Sequence, residues 1–145
     1  MKNNNLLKND SDLNVTQEDK KIRRKDEPSE KIPNINLLFD QIEKGRLRSL
    51  QESVNNGFEM NFTNRNGDTP LMIAIQHKQR KIIDFLIHKG ANVNHVNNNG
   101  NSALHFALAH DKTGQIAEYL VEKGANDSIK NNFGKNPYED SYLDN

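Results

Sequence analysis

Asn64-Arg65-Asn66-Gly67-Asp68-Thr69-Pro70-Leu71 returns 33 residues later as Asn97-Asn98-Asn99-Gly100-Asn101-Ser102-Ala103-Leu104. A weakened third version, Asn131-Asn132-Phe133-Gly134-Lys135-Asn136-Pro137-Tyr138, follows 34 residues after that. A second glycine series, Gly57, Gly90 and Gly124, keeps the same 33- and 34-residue steps. Its surroundings repeat too, with His88-Lys89-Gly90-Ala91-Asn92-Val93-Asn94 against Glu122-Lys123-Gly124-Ala125-Asn126-Asp127-Ser128. Self-similarity at this period marks a stack of small units, each of which buries its apolar face only against its neighbours.

Within the repeat, Thr69-Pro70-Leu71-Met72-Ile73-Ala74 and Ser102-Ala103-Leu104-His105-Phe106-Ala107 both match the T-P-L-H-x-A pattern. On these residues the chain resembles the ankyrin-repeat family over residues 34–145. Met72 stands where the pattern has histidine and Ala103 where it has proline. The resemblance implies an all-α solenoid of helix–turn–helix units joined by hairpin loops. About three and a half repeats are expected, close to the minimum for a stable stack. It also implies a binding module rather than a catalyst.

The composition is compatible with that reading. Hydrophobic residues make up 33% of the 145, low for a sphere but tolerable in a stack whose units touch only their neighbours. Twenty basic and twenty acidic residues cancel to a formal charge of zero, so bulk electrostatics select neither nucleic acid nor an anionic membrane surface. The chain has no cysteine, which excludes disulfide and thiolate chemistry. The opening Met1-Lys2-Asn3-Asn4-Asn5-Leu6-Leu7-Lys8 lacks the apolar core of a secretory signal, and Leu71 to Ile75 is far too short to span a membrane. A cytoplasmic, monomeric protein is expected, with no cofactor and no small-molecule substrate. The abundance of asparagine suggests an AT-rich genome. It leaves room for an alternative in which an intracellular microbe exports the protein into a host as an effector or adaptor.

Residues 1–33 mix both charge signs with few large apolar residues, the signature of a disordered tail. The basic cluster Lys20-Lys21-Ile22-Arg23-Arg24-Lys25 could be read as a nuclear-import or phosphate-binding patch. Glu18, Asp19, Asp26 and Glu27 flank it, however, and favour a solvated charge run.

The repeat domain divides into units of about 34–63, 64–96 and 97–130, with a partial cap at 131–145. In the first, Leu37, Leu38 and Ile42 are expected on one apolar face and Leu47, Leu50 and Val54 on another, with Gly45 breaking between two helices. In the second, Thr69 reads as an N-cap and Pro70 as the first helical residue. Leu71, Ala74, Ile75, Ile82, Ile83 and Leu86 should point inward. The third repeats this with Leu104, Ala107, Leu108, Ile116, Ala117, Leu120 and Val121, its extra residue falling in the His110–Gln115 loop. In the cap, Pro137, Tyr138, Ser141 and Tyr142 are expected to pack inward and Glu139, Asp140 and Asp144 to face water.

Five histidines, His77, His88, His95, His105 and His110, raise a metal or catalytic alternative. The resemblance gives His105 a framework role. His77 and His110 occupy equivalent places in successive units. Packed helices lie about 8–10 Å apart, whereas a zinc ion needs each nitrogen at about 2.0–2.1 Å, and no third ligand is evident. No nucleophile elbow, phosphate loop or H-E-x-x-H pair is present. The Asn-Gly turns read as tight turns rather than phosphate cradles.

By the resemblance, a protein partner is expected on the concave strip of hairpin tips and first-helix ends. Repeat phase places Arg65, Asn66, Asp68, Gln76 and His77 there. It adds His95, Asn98, Asn99, Asn101 and His110, then Lys130, Asn132, Phe133 and Lys135. Arg65 and Phe133 are the candidate anchors, because arginine and aromatic side chains carry most interface energy. The competing readings are that Arg65 pairs with Asp68 and that Phe133 folds back on the last helix.

Overall fold

The computed structural model describes residues 34–57 and 60–141. The tail, its basic cluster, Tyr142 and Asp144 lie outside the described residues. Seven helices follow in order: α1 (Ile35–Glu43), α2 (Leu47–Asn55), α3 (Pro70–Gln76), α4 (Arg80–His88), α5 (Ala103–His110), α6 (Gln115–Glu122) and α7 (Pro137–Ser141). Among the described residues the only β pairing is an isolated bridge between Val96 and Ser102.

Helices α3, α5 and α6 start where side chains provide for their free N–H groups, whereas α2 and α4 start without a side-chain cap. Thr69, in extended conformation, accepts from Met72 N–H at 3.2 Å through its hydroxyl, and Pro70 follows at the first helical position. Ser102 does the same for α5, and His105 completes a reciprocal box by accepting the Ser102 N–H on Nδ1 at 3.0 Å. The α6 start has no capping side chain of its own, because Gly114 sits there at φ 78°. Asp111 and Thr113 substitute. Asp111 Oδ2 accepts from Ile116 N–H at 2.9 Å, and Thr113 Oγ1 accepts from Gln115 N–H at 3.2 Å. The longer loop of the third unit is therefore a cap, and Asp111 within it is buried.

The second helices α4 and α6 end in Schellman geometry. Ala91 N–H reaches Leu86 O at 3.0 Å, and Ala125 N–H reaches Leu120 O at 2.9 Å.

Each second helix folds back on its own first helix, and the first helices stack as α1, α3, α5 and α7. Leu71, Ala74, Ile75, Ile82, Ile83 and Leu86 are buried, as are Leu104, Ala107, Ile116, Ala117 and Leu120. Complete burial of Ala74 and Ala107 fits the close approach of α3 and α5 to their neighbours. Side chains of that size burying roughly 1.5–3 kcal/mol each for a leucine or isoleucine make this seam the main source of stability.

Three inward placements read from the sequence are corrected. Leu37 is 52% exposed, and Phe39 takes its place beside Leu38 and Ile42, meeting Phe62 edge to face at 5.2 Å. At about 100° per residue, Leu37 lies some 140° from Ile42 whereas Phe39 lies about 60° away. Val121 is 42% exposed and Tyr138 40% exposed. Both belong to the last described face of the stack, where no further helix among the described residues covers them. Pro137 is buried as expected.

Candidate functional site

The strip is built on one local device used three times. In each hairpin the first asparagine curls over its own turn. Asn64 Oδ1 accepts from Asn66 and Asp68 N–H, Asn97 Oδ1 from Asn99 and Asn101, and Asn131 Oδ1 from Phe133 and Lys135, all at 2.9–3.1 Å. The backbones of these turns close identically, from Asn64 N–H to Asp68 O, Asn97 N–H to Asn101 O and Asn131 N–H to Lys135 O. Asparagine is required because its carbonyl oxygen caps two amides while its NH₂ remains available to donate elsewhere.

That remaining donor joins the units. Asn97 Nδ2 donates to Asp68 Oδ1 at 2.8 Å, and Asn131 Nδ2 to Asn101 Oδ1 at 2.9 Å. One residue further on, Asn98 donates from its backbone to Asn66 O and from its side chain to Arg65 O. Asn132 likewise reaches Asn99 O and Asn98 O. Gly67 and Gly100 permit this approach. A Cβ on Gly67 would lie 2.9 Å from Asn98 N, and one on Gly100 2.9 Å from Asn132 N, whereas Gly134 faces open space. All three stand at positive φ.

A second ladder runs below the second helices. Asn61 Oδ1 accepts from Asn92 N–H, and Asn94 Oδ1 accepts from Asn126 N–H at 2.7 Å.

The two inner histidines pin hairpins together. His95 Nε2 donates to Gly67 O at 3.1 Å, and His105 Nε2 donates to Lys135 O at 3.0 Å. Since His105 Nδ1 accepts the Ser102 N–H, its ring carries its proton on Nε2. The framework role implied for His105 thus has a definite geometry.

The strip residues fall into two groups. Asp68 is buried, its carboxylate taken by Asn97 and, at 3.4 Å, by Asn64. Asn98 and Asn132, both exposed, and half-buried Asn101 are engaged with neighbouring units, as described above. Arg65, Asn66, Gln76, His77, Asn99, His110, Lys130 and Phe133 are exposed, and Lys135 is half-buried. Phe133 is 77% exposed, so it does not fold back on α7. It stands in the register of Asn66 and Asn99, and an aromatic ring is thereby carried to the hairpin tip. The Asp68 carboxylate bonds to asparagine amides rather than forming an ion pair with Arg65. Among the described residues no three of the His, Asp and Glu side chains come close enough to hold a metal ion.

Two ionisable groups outside the strip are shifted. Burial would raise the Asp111 carboxyl, but hydrogen bonds from Thr113 Oγ1, Ile116 N–H and Thr113 N–H, with the charge of Lys78, hold it below the usual value. Burial, then the hydrogen bond and charge of Asp84, push the Tyr119 phenol above its usual range. Arg80 lies 4.9 Å from the Tyr119 ring centroid and 3.8 Å from Asp84. This cluster on α4 and α6 went unnoticed in the sequence. Its only signal was the Arg80–Asp84 spacing of one helical turn.

Comparison with known proteins bears on the whole arrangement. The family description of ankyrin repeats, in three copies, matches residues 38–131. Among the curated proteins none matches the chain. No helix among the described residues is long and apolar enough to cross a membrane.

Proposed function

This chain belongs to the ankyrin-repeat family, and we propose that it is a non-catalytic module that holds a protein partner on its hairpin tips and first-helix ends. Ankyrin repeats generally serve as protein–protein interaction modules. The observation that carries the finer reading is the exposed ring of Phe133 at a hairpin tip, a position filled by asparagine in the two preceding units. Solvating so large an apolar side chain is unfavourable by about 1.5–3 kcal/mol relative to burying it.

The asparagine ladders support the reading in a second way. Satisfied within the stack, they hold the strip in place before a partner arrives and reduce the ordering entropy lost on association. Arg65 is the second anchor, its guanidinium at the opposite end of the row from Phe133. Gln76, His77, Asn99, His110 and Lys130 supply a polar surround suited to a wet interface.

The reading is tested by site-specific photo-crosslinking in the full chain. A photoreactive residue at position 133 or 65 should form adducts with a partner protein, and one at Lys81 on α4 should not. Adducts formed equally from Lys81, or only from there, would place the partner on another surface.

A further inference from the structure

Repeat register allows the faces between units to be compared residue by residue. Leu71 and Leu104 are fully buried near the starts of α3 and α5, while Tyr138, in the same register in α7, is 40% exposed. Ile75 is fully buried, but its counterpart Leu108 is only partly so. Ile87 of α4 packs against the core, whereas its counterpart Val121 of α6 is 42% exposed. Leu108, Ala117, Val121 and Tyr138 line one groove of about 540 Å³ together with Glu118 and Glu122. The groove lies between α6 and α7, where register places the second helix of a following unit.

The groove's own lining carries charge of one sign, and on the far side of the same two carboxylates Arg80 of α4 lines a neighbouring recess with Glu118, Tyr119 and Glu122. Glu118 and Glu122 are exposed, one helical turn apart, and among the described residues neither forms an ion pair. In the preceding unit the same two positions hold Asp84, which Arg80 approaches, and His88. The adjacent cation, Lys123, instead leans over the Tyr119 ring at 5.5 Å from its centroid. The floor is therefore apolar and the rim acidic, with rim charges spaced about 6 Å along the axis by the rise of one turn.

From this we infer that the groove docks an amphipathic helix of another protein, with its apolar stripe over Val121, Ala117 and Leu108. Lysine or arginine residues one turn apart on the partner helix meet Glu118 and Glu122. This surface is separate from the hairpin tips. The mode is that of a helix laid into a groove, with anchors at i, i+3 or i+4, and i+7. Its charge pairs set orientation and on-rate more than affinity.

The test uses the full chain and a fluorescent synthetic helical peptide of about 15 residues, long enough to take up helix on contact. The peptide carries leucines on one face and lysines flanking them, and a second version replaces the lysines with glutamates. Anisotropy should show saturable binding of the lysine peptide and at least about tenfold weaker binding of the glutamate peptide. Val121→Glu and the pair Glu118→Lys with Glu122→Lys should each weaken the lysine peptide by about tenfold or more, with helical circular dichroism unchanged. Lys81→Ala should leave binding as it was. Equal binding of both peptides, binding unaffected by Val121→Glu, or no saturation up to about 1 mM overturns the inference. So does a concentration-dependent dimer in sedimentation that Val121→Glu abolishes, because the groove then seats a second copy of this chain.

Discussion

Replacing Asn97 with alanine removes three hydrogen bonds at the centre of the stack. Asn97 Oδ1 accepts from Asn99 N–H at 3.0 Å and Asn101 N–H at 2.9 Å, and Nδ2 donates to buried Asp68 Oδ1 at 2.8 Å. The two amides are only part-buried and recover some bonding to water, so each loss costs about 0.5–1.5 kcal/mol. The Asp68 carboxylate keeps only the 3.4 Å contact from Asn64, and leaving a buried acceptor short of a partner adds about 1–3 kcal/mol. Allowing for relaxation, the sum is about 2–4 kcal/mol, a large part of the roughly 5–15 kcal/mol that holds a domain folded. With a urea dependence of about 2 kcal/mol/M, the unfolding midpoint followed by circular dichroism should fall by about 1–2 M. Asn64→Ala is the internal comparison. It removes the same pair of turn bonds but only the long contact to Asp68, and should cost about half as much. Equal losses for the two variants, or a shift for Asn97→Ala below about 0.25 M, would refute the reasoning that the inter-unit amide bond carries the excess.

Gly100→Ala should destabilise by at least about 1 kcal/mol more than Gly134→Ala in the same assay. Both suffer the strain of positive φ, but only the first presses a Cβ against Asn132 N. Asp111 has a depressed folded pKa, so its contribution is complete above the unfolded value of about 3.9 and is lost as pH falls through the lower folded value. An acid titration of stability should therefore fall less steeply for Asp111→Asn than for the parent. Phe133→Ala should change stability by less than about 0.5 kcal/mol, because the ring is exposed. The same change should weaken partner binding by about thirtyfold, the equivalent of a 2 kcal/mol anchor, as read by titration calorimetry.

The scaffold was legible because its determinants are local and periodic. Thr69-Pro70, the Asn-Gly turns and the apolar spacing of α3 to α6 each name a conformation on their own, and the 33-to-34-residue period aligns them. Exposure at the ends was harder to read. Val121 and Tyr138 look like core residues in sequence, and whether they are buried depends on what lies beyond them, which no local pattern encodes. Leu37 is a matter of helical phase, lying some 140° from Ile42 on α1. Part of the strip also serves the stack itself. The side chains of Asn98, Asn101 and Asn132 bond to neighbouring units, a use that becomes visible only when hairpins 33 or 34 residues apart are brought together. Asp68 was read as a surface group and is buried for the same reason. Phe133 is the reverse case. Nothing in its sequence distinguished a tip from a cap, and its exposure follows from its place at the hairpin tip, where Asn66 and Asn99 in the same register are exposed as well.

The most direct measurement is recovery of partner protein by the full chain, compared with a variant carrying Arg65→Ala, Lys130→Ala and Phe133→Ala. Lysate of the source organism is the starting material, and circular dichroism checks that both chains keep the same helical content. A module that works through its hairpin tips will hold a specific partner in the parent and lose it in the triple variant. Equal recovery by both chains would contradict that and move the binding surface elsewhere on the stack.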